Sequence, residues 1–275
     1  MTSFKHFRGF FPLLPVFVGA GVLVVTGIVT LGQPALLPPQ WPRVFLSDVE
    51  QLLLEMVNEE RIQRGIASLQ SEPKLMEIAR AHTTDMMERR FFAHDNPDGE
   101  GPADRVARAH RQLIGTSAEN LWRGSRSDIP RDKELTEDIM DSLMNSPGHR
   151  ATILAEDLTH LGVGVSREPG LMVNTWETRA TQLFAEVAAY TKEPVPESLG
   201  WAALANFSIT LGGREGDAEL FDLWSPDENR SVFGPVPVRM ARLLAQEGMY
   251  QIRFYFRQGS GHQYVVHFGP RLEIR

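Results

Sequence analysis

The chain has 275 residues and a hydrophobic content of 42%, enough to build a substantial core and more than one domain. A formal charge of -7 with no long basic stripe argues against nucleic acid as a partner. The absence of cysteine removes disulfides, thiolate nucleophiles and cysteine zinc ligands together, so a metal here would have to rest on histidine and carboxylate.

Residues 1–9 carry Lys5, His6 and Arg8, and residues 10–32 follow as "FFPLLPVFVGAGVLVVTGIVTLG", without a charge. Roughly 20 apolar residues suffice to cross a bilayer as a helix. The spacing therefore predicts a transmembrane anchor with a cytoplasmic N-terminus and the bulk of the chain extracytoplasmic, periplasmic or at the cell surface. The other reading is a signal sequence cleaved near "TLGQPA", which makes the protein secreted. Residues 33–46 are proline-rich and read as an extended linker.

Ser47 with Glu50 has the spacing of a capping box, and Val49, Leu52, Leu53, Met56 and Val57 continue at helical period until Gly65. A second helix is predicted from Pro73 toward Phe92, with Leu75, Ile78, Ala79 and Met86 on one face, and it delivers His94 just past its end. Further helices are expected over 102–113 and 133–145, then strands at 160–165, 170–176 and 180–188. Helices followed by antiparallel strands predict an α+β layered domain over 47–190. Residues 191–200 read as a linker. Over 201–275, Phe207, Ile209 and Leu211, then Tyr250, Ile252, Phe254 and Phe256, then Tyr264, Val266 and Phe268 recur with period two. The last two runs flank "QGSGH", and the whole predicts a small all-β, sandwich-like accessory domain with a C-terminal hairpin.

Three stretches of the first domain carry candidate chemistry: "FFAHDNPDG" around His94, "SAENLW" around Glu119 and Asn120, and "NSPGHRATIL" around His149. Singly, each also fits a helix cap, a solvated surface or a turn. In this order, and with "LLEMVNEERIQRG" carrying Asn58 and Arg61, "LMEIARAHTTDMMERRFFAH", "THLGVGV" and "TQLFAEV" around them, they resemble the bacterial form of the CAP superfamily. That fold is shared by cysteine-rich secretory proteins, antigen 5 and pathogenesis-related 1 proteins.

The resemblance implies an α-β-α sandwich whose cleft gathers histidines and glutamates. It carries over His94, Glu119 and His149 as ligands of Zn2+ or another divalent metal, with Asn120 and Gln182 as binding residues beside them. Two positions depart from the family pattern: Arg179 stands where a late-strand histidine is found, and Ser146 near a second glutamate. Three functions stay open at this point. One is a membrane-anchored module that binds a lipid, glycan or protein of the cell envelope. Another is a metal-dependent hydrolase, with His94 and His149 as ligands and Glu119 either as a further ligand or as general base to the bound water. The third is a structural envelope protein with a vestigial cleft. No H-E-x-x-H helix and no G-x-S-x-G elbow is present to favour catalysis.

Overall fold

A computed structural model describes residues 44–200, 203, 209–212, 218–237, 246–259 and 263–275. The apolar segment 10–32, all but the end of the linker 33–46, Phe207 and residues 260–262 of the expected turn lie outside the described residues. Among the described residues no helix is long and apolar enough to cross a membrane.

The short strand β1 (Val44–Phe45) leads into helix α1 (Ser47–Ile62), and β2 (Gln70–Ser71) leads into α2 (Pro73–Glu88). Pro73 opens α2, where a missing amide hydrogen costs least, and Glu72 caps it by accepting from the Leu75 amide at 2.5 Å. The capping box expected at α1 does not form. Glu50 turns inward instead, accepting from the Val165 amide at 2.9 Å and pairing with Arg80 of α2. A buried carboxylate with two such partners is better satisfied there than at a solvated helix end.

Helix α3 (Pro102–Ala109) is shorter than expected because residues 113 onward belong to a long strand, β3 (Leu113–Arg126), that the sequence pattern did not reveal. Helices α4 (Asp132–Asn145) and α5 (Pro147–Ile153) follow. The strands β4 (His160–Pro169) and β5 (Trp176–Thr191) form a hairpin. Residues 170–175, expected within a strand, are its turn: Gly170 donates to the Thr175 carbonyl at 2.7 Å, and Asn174 has a positive φ of 58°.

Alternation along β4 decides the layers. Leu161, Val163 and Val165 pack with α1, α4 and α5 around Leu53, Ile139 and Phe184. Gly162 and Gly164 point the other way, where a Cβ would meet the backbone of α2 at Leu75, Met76, Ala79 and Arg80. On that side Leu75, Ile78, Val106, Leu183 and Ala185 join α2 and α3 to the sheet. The result is α+β, with helices on both faces of an antiparallel sheet. A fully buried Phe184 or Leu53 contributes about 2 to 3 kcal/mol.

After β6 (Ser198–Leu199) and β7 (Leu211–Gly212), the C-terminal region supplies β8 (Leu220–Ser225), β9 (Arg230–Pro237), β10 (Gly248–Gln258) and β11 (Gln263–Ile274). These strands have a core of their own around Phe221, Leu223, Ile252, Phe254 and Leu272. Among the described residues they are not a detached sandwich, because they continue the first sheet in the order β1-β4-β5-β3-β11-β10-β8-β9. The seam is narrow: Phe268 of β11 pairs with Gly115 of β3. Arg111 reinforces it, donating to the carbonyls of Val195, Pro196 and Arg271 at 2.8, 2.6 and 2.5 Å. Ile114 reaches from β3 into the second core, which is why the two parts do not separate cleanly.

Candidate functional site

Glu119 lies in the middle of β3, with its side chain buried and aimed at the end of α2. Such a carboxylate needs partners, and three elements provide them. Arg105 of α3 donates Nη2 to Oε2 at 2.6 Å. His94, in the loop after α2, sets Nδ1 at 2.9 Å from Oε1. His82 of α2 holds Nε2 at 3.8 Å from the same oxygen and 3.1 Å from the Ala93 carbonyl.

The loop that presents His94 is built by local hydrogen bonds. The side-chain oxygen of Asn96 accepts from the amides of Asp98 and Glu100 at 3.0 and 2.9 Å, and Gly99 adopts a φ of 81°. Arg105 completes it by donating Nη1 to the carbonyls of His94 and Glu100 at 2.8 and 2.9 Å. One guanidinium therefore neutralises Glu119 and fixes the chain that carries His94. The His94 side chain is 52% exposed. With Nδ1 against the carboxylate, Nε2 is the ring nitrogen left to meet a ligand.

Electrostatics follow from burial. Burial, then the charge of Arg105, lowers the His82 pKa to about 4, so this ring is neutral at pH 7. Its proton sits on Nε2, which faces the Ala93 carbonyl. Burial pushes the Glu119 carboxyl up, while the Arg105 charge and the His94 hydrogen bond work against that shift. His149, half-buried on α5, is lowered by burial and by the charge of His94.

Asn120 and Gln182, expected as binding residues, are both buried. Asn120 donates Nδ2 to the His149 carbonyl at 3.1 Å and to Gln182 Oε1 at 3.3 Å, bracing α5 against β3 and β5. Arg179 is also spoken for: it donates to the carbonyls of Met86 and, at 3.1 Å, Phe91. It thus holds the end of α2 at the point where the family pattern has a histidine.

The chemistry of this donor set does not suit a divalent ion. Both Glu119 oxygens are engaged by cationic or N–H partners, and Arg105 supplies the positive charge that a metal would bring. Among the described residues no three His, Asp or Glu side chains are grouped so as to hold a metal. On the other side of His82 and Arg105, a cavity of about 500 Å³ opens between α2 and α3. Ile78, Ala81 and Ala109 give it an apolar lining, and Asp85, Arg89 and Arg108 are among its charged groups.

Sequence reasoning missed Arg105 and His82. The usable signal was Glu119 itself, since a carboxylate that is to be buried needs a cation from elsewhere in the fold.

Comparison with known proteins adds four findings. The model of the cysteine-rich secretory protein family, CAP, matches residues 54–183. The uncharacterized protein YkwD of Bacillus subtilis is 32% identical over 119 residues, 43% of this chain and 43% of that protein. The uncharacterized membrane protein YlbC of the same organism is 29% identical over 132 residues, 47% of this chain and 34% of that protein. The chain thus spans less than half the length of these two curated relatives. Among solved structures, an outer surface protein from Borrelia burgdorferi aligns with a TM-score of 0.43 and 18% identity over 53% of this chain and 98% of that one.

Proposed function

Because residues 54–183 form a CAP domain of the cysteine-rich secretory protein family, we propose that the protein is a membrane-anchored, extracytoplasmic binding module of the cell envelope. The observation that carries this reading is the closed charge pairing at Glu119. With Arg105 on one oxygen and His94 on the other, the carboxylate serves as a fixed anchor for His94 rather than as a metal ligand or a free general base.

His94 Nε2 at the rim and the cavity between α2 and α3 are then the places where an envelope ligand is met: a polar group at the imidazole, apolar matter against Ile78 and Ala81. The uncharged run 10–32 supports anchoring, and the relative YlbC is named as a membrane protein. The C-terminal strands extend the sheet as an accessory surface.

The test is zinc titration calorimetry on the purified full chain and its His94→Ala and His149→Ala variants, alongside co-sedimentation with purified wall glycan and with lipid vesicles. The binding reading expects no saturable zinc uptake and retention of the full chain on one of the two materials, weakened in His94→Ala. Stoichiometric zinc lost in both variants would replace it with the metal-dependent hydrolase. Retention on neither material would leave a structural envelope protein.

A further inference from the structure

The apolar triplet Leu171, Met172 and Val173 belongs neither to a core nor to the site around Glu119. It forms the tip of the β4–β5 hairpin, with the three residues 76%, 68% and 89% exposed. The tip is held in shape by hydrogen bonds: the Thr175 amide donates to the Met172 carbonyl at 3.2 Å, and the Thr175 hydroxyl donates to it at 2.8 Å. No charge occurs from Gly170 to Trp176, and Trp176 at the base is half-buried, an aromatic of the type enriched at membrane interfaces.

Other exposed hydrophobic side chains gather at the same end of the sheet. Val44 and Phe45 pair with Arg167 and Ser166 at the approach to the turn. Ile129 follows closely on Arg126, which pairs with Trp176. Exposed apolar surface concentrated in this way marks a contact with another phase or molecule.

The route of the chain identifies that phase. Val44, where the described chain begins, lies beside the hairpin, and only residues 33–43 separate it from the uncharged run. Fully extended, at about 3.5 Å per residue, that spacer reaches roughly 40 Å. The β5 strand alone runs on the order of 50 Å from Trp176 to Thr191 at about 3.3 Å per residue. The spacer joins the domain at the hairpin end of β5 and not at the Thr191 end, so the hairpin is the end nearest in the chain to an anchored run. A second copy of the chain is a poorer fit, because a projecting three-residue tip offers far less than the ~800 Å² per partner of a stable protein interface.

We propose that the Leu171–Met172–Val173 tip, flanked by Val44 and Phe45, inserts into the interfacial layer of the phospholipid bilayer and fixes the orientation of the CAP domain on it. This rests on the anchored reading of residues 10–32. Apolar side chains at a headgroup boundary give up water for acyl chain, as shallowly inserted peripheral elements do.

The absence of native cysteine makes the test direct. Val173→Cys and, at the far end of β5, Lys192→Cys each give a single attachment point for an environment-sensitive fluorophore in the full chain. Each labelled chain is reconstituted into phosphatidylcholine and phosphatidylglycerol vesicles and floated on a density gradient. It is then measured with and without nitroxide-bearing lipid.

The expected result is a blue-shifted label at 173, quenched several-fold more by nitroxide lipid than the label at 192, with the shift abolished by Met172→Asp. Flotation with equal, unshifted emission at both positions overturns the hairpin proposal and leaves the anchor standing. Failure to float overturns both. A shift at 173 that nitroxide lipid does not quench assigns the tip to a second copy of the chain and overturns the bilayer assignment.

Discussion

A single guanidinium decides the character of the site. Replacing Glu119 by Gln leaves Arg105 buried without its counter-charge, and breaking a buried pair from one side costs roughly 3 to 5 kcal/mol. Urea denaturation of Glu119→Gln is expected to show a loss of that size, with the α+β circular dichroism retained. His82 gives a pH dependence of definite sign. Its ordinary value of 6.5 falls to about 4 in the folded chain, so the unfolded state binds more protons between those values. Stability contributed by neutral His82 is therefore complete above pH 6.5 and declines as the pH falls toward 4, by roughly 3 kcal/mol at the limit. Glu119, pushed upward by burial, works in the opposite direction. Comparing the chain with His82→Gln across pH 7.5 to 4.5 isolates the histidine: the variant is expected to lose less stability on acidification, and equal slopes would refute the assignment. His94, Glu119 and His149 stood out as candidates because each sits in a motif with a recognisable order, and the structure pairs the first two. Arg105 and His82 did not, since each occupies an ordinary polar position in a helix and acquires its role from a carboxylate on another element.

At the scale of elements, two features test how the sheet carries its helices. Gly164→Ala places a methyl group against the backbone of Ala79 and Arg80, and α2 has to lift from β4 to admit it. Overpacking of this kind costs about 1 to 3 kcal/mol, measurable as a lower thermal midpoint, and the effect should reach His94 because α2 ends just before it. Arg61 makes the corresponding connection on the other face. Buried in α1, it donates to the carbonyls of Ala67, Ile153, Ala155 and Leu158 at 2.7, 2.8, 2.7 and 3.2 Å, tying α1 to the end of α5. Arg61→Met keeps the apolar stem and strands those carbonyls, so a destabilisation of about 3 kcal/mol or more is expected in denaturant titration. Helical period made α1, α2 and α4 readable. It could not reveal β3, whose "GTSAENLWRGSR" lacks alternation because its polar side chains serve the site and the layer contacts. The stretch "GLMVNTW" failed in the reverse sense: an apolar run suggested a strand, and its residues form the turn and include the most exposed hydrophobics of the hairpin.

For the whole molecule, the sequence marked a change of character near residue 191 but held no sign that the strands beyond it would join the sheet before it. Pairing across such a distance depends on which edge is left open, and β3 itself was hidden. Truncation after Gly200 is expected to uncover Ile114 and Ala189 and to leave Arg111 without the Arg271 carbonyl. The remaining domain should melt several degrees lower and self-associate on size exclusion, whereas an unchanged midpoint would mean that the seam contributes nothing. The narrowness of that seam has a mechanical consequence. Were the chain anchored through residues 10–32, as proposed, and pulled through its C-terminal strands, tension would cross from β11 at Phe268 to Gly115 of β3 and through the side chains of Arg111 and Arg271. The β3–β5 ladder behind it is hydrogen-bonded along the whole length of β3. Under such a load the single-pair seam would be expected to give way before that ladder, like a fuse, parting the C-terminal strands from the sheet while the CAP domain kept its fold.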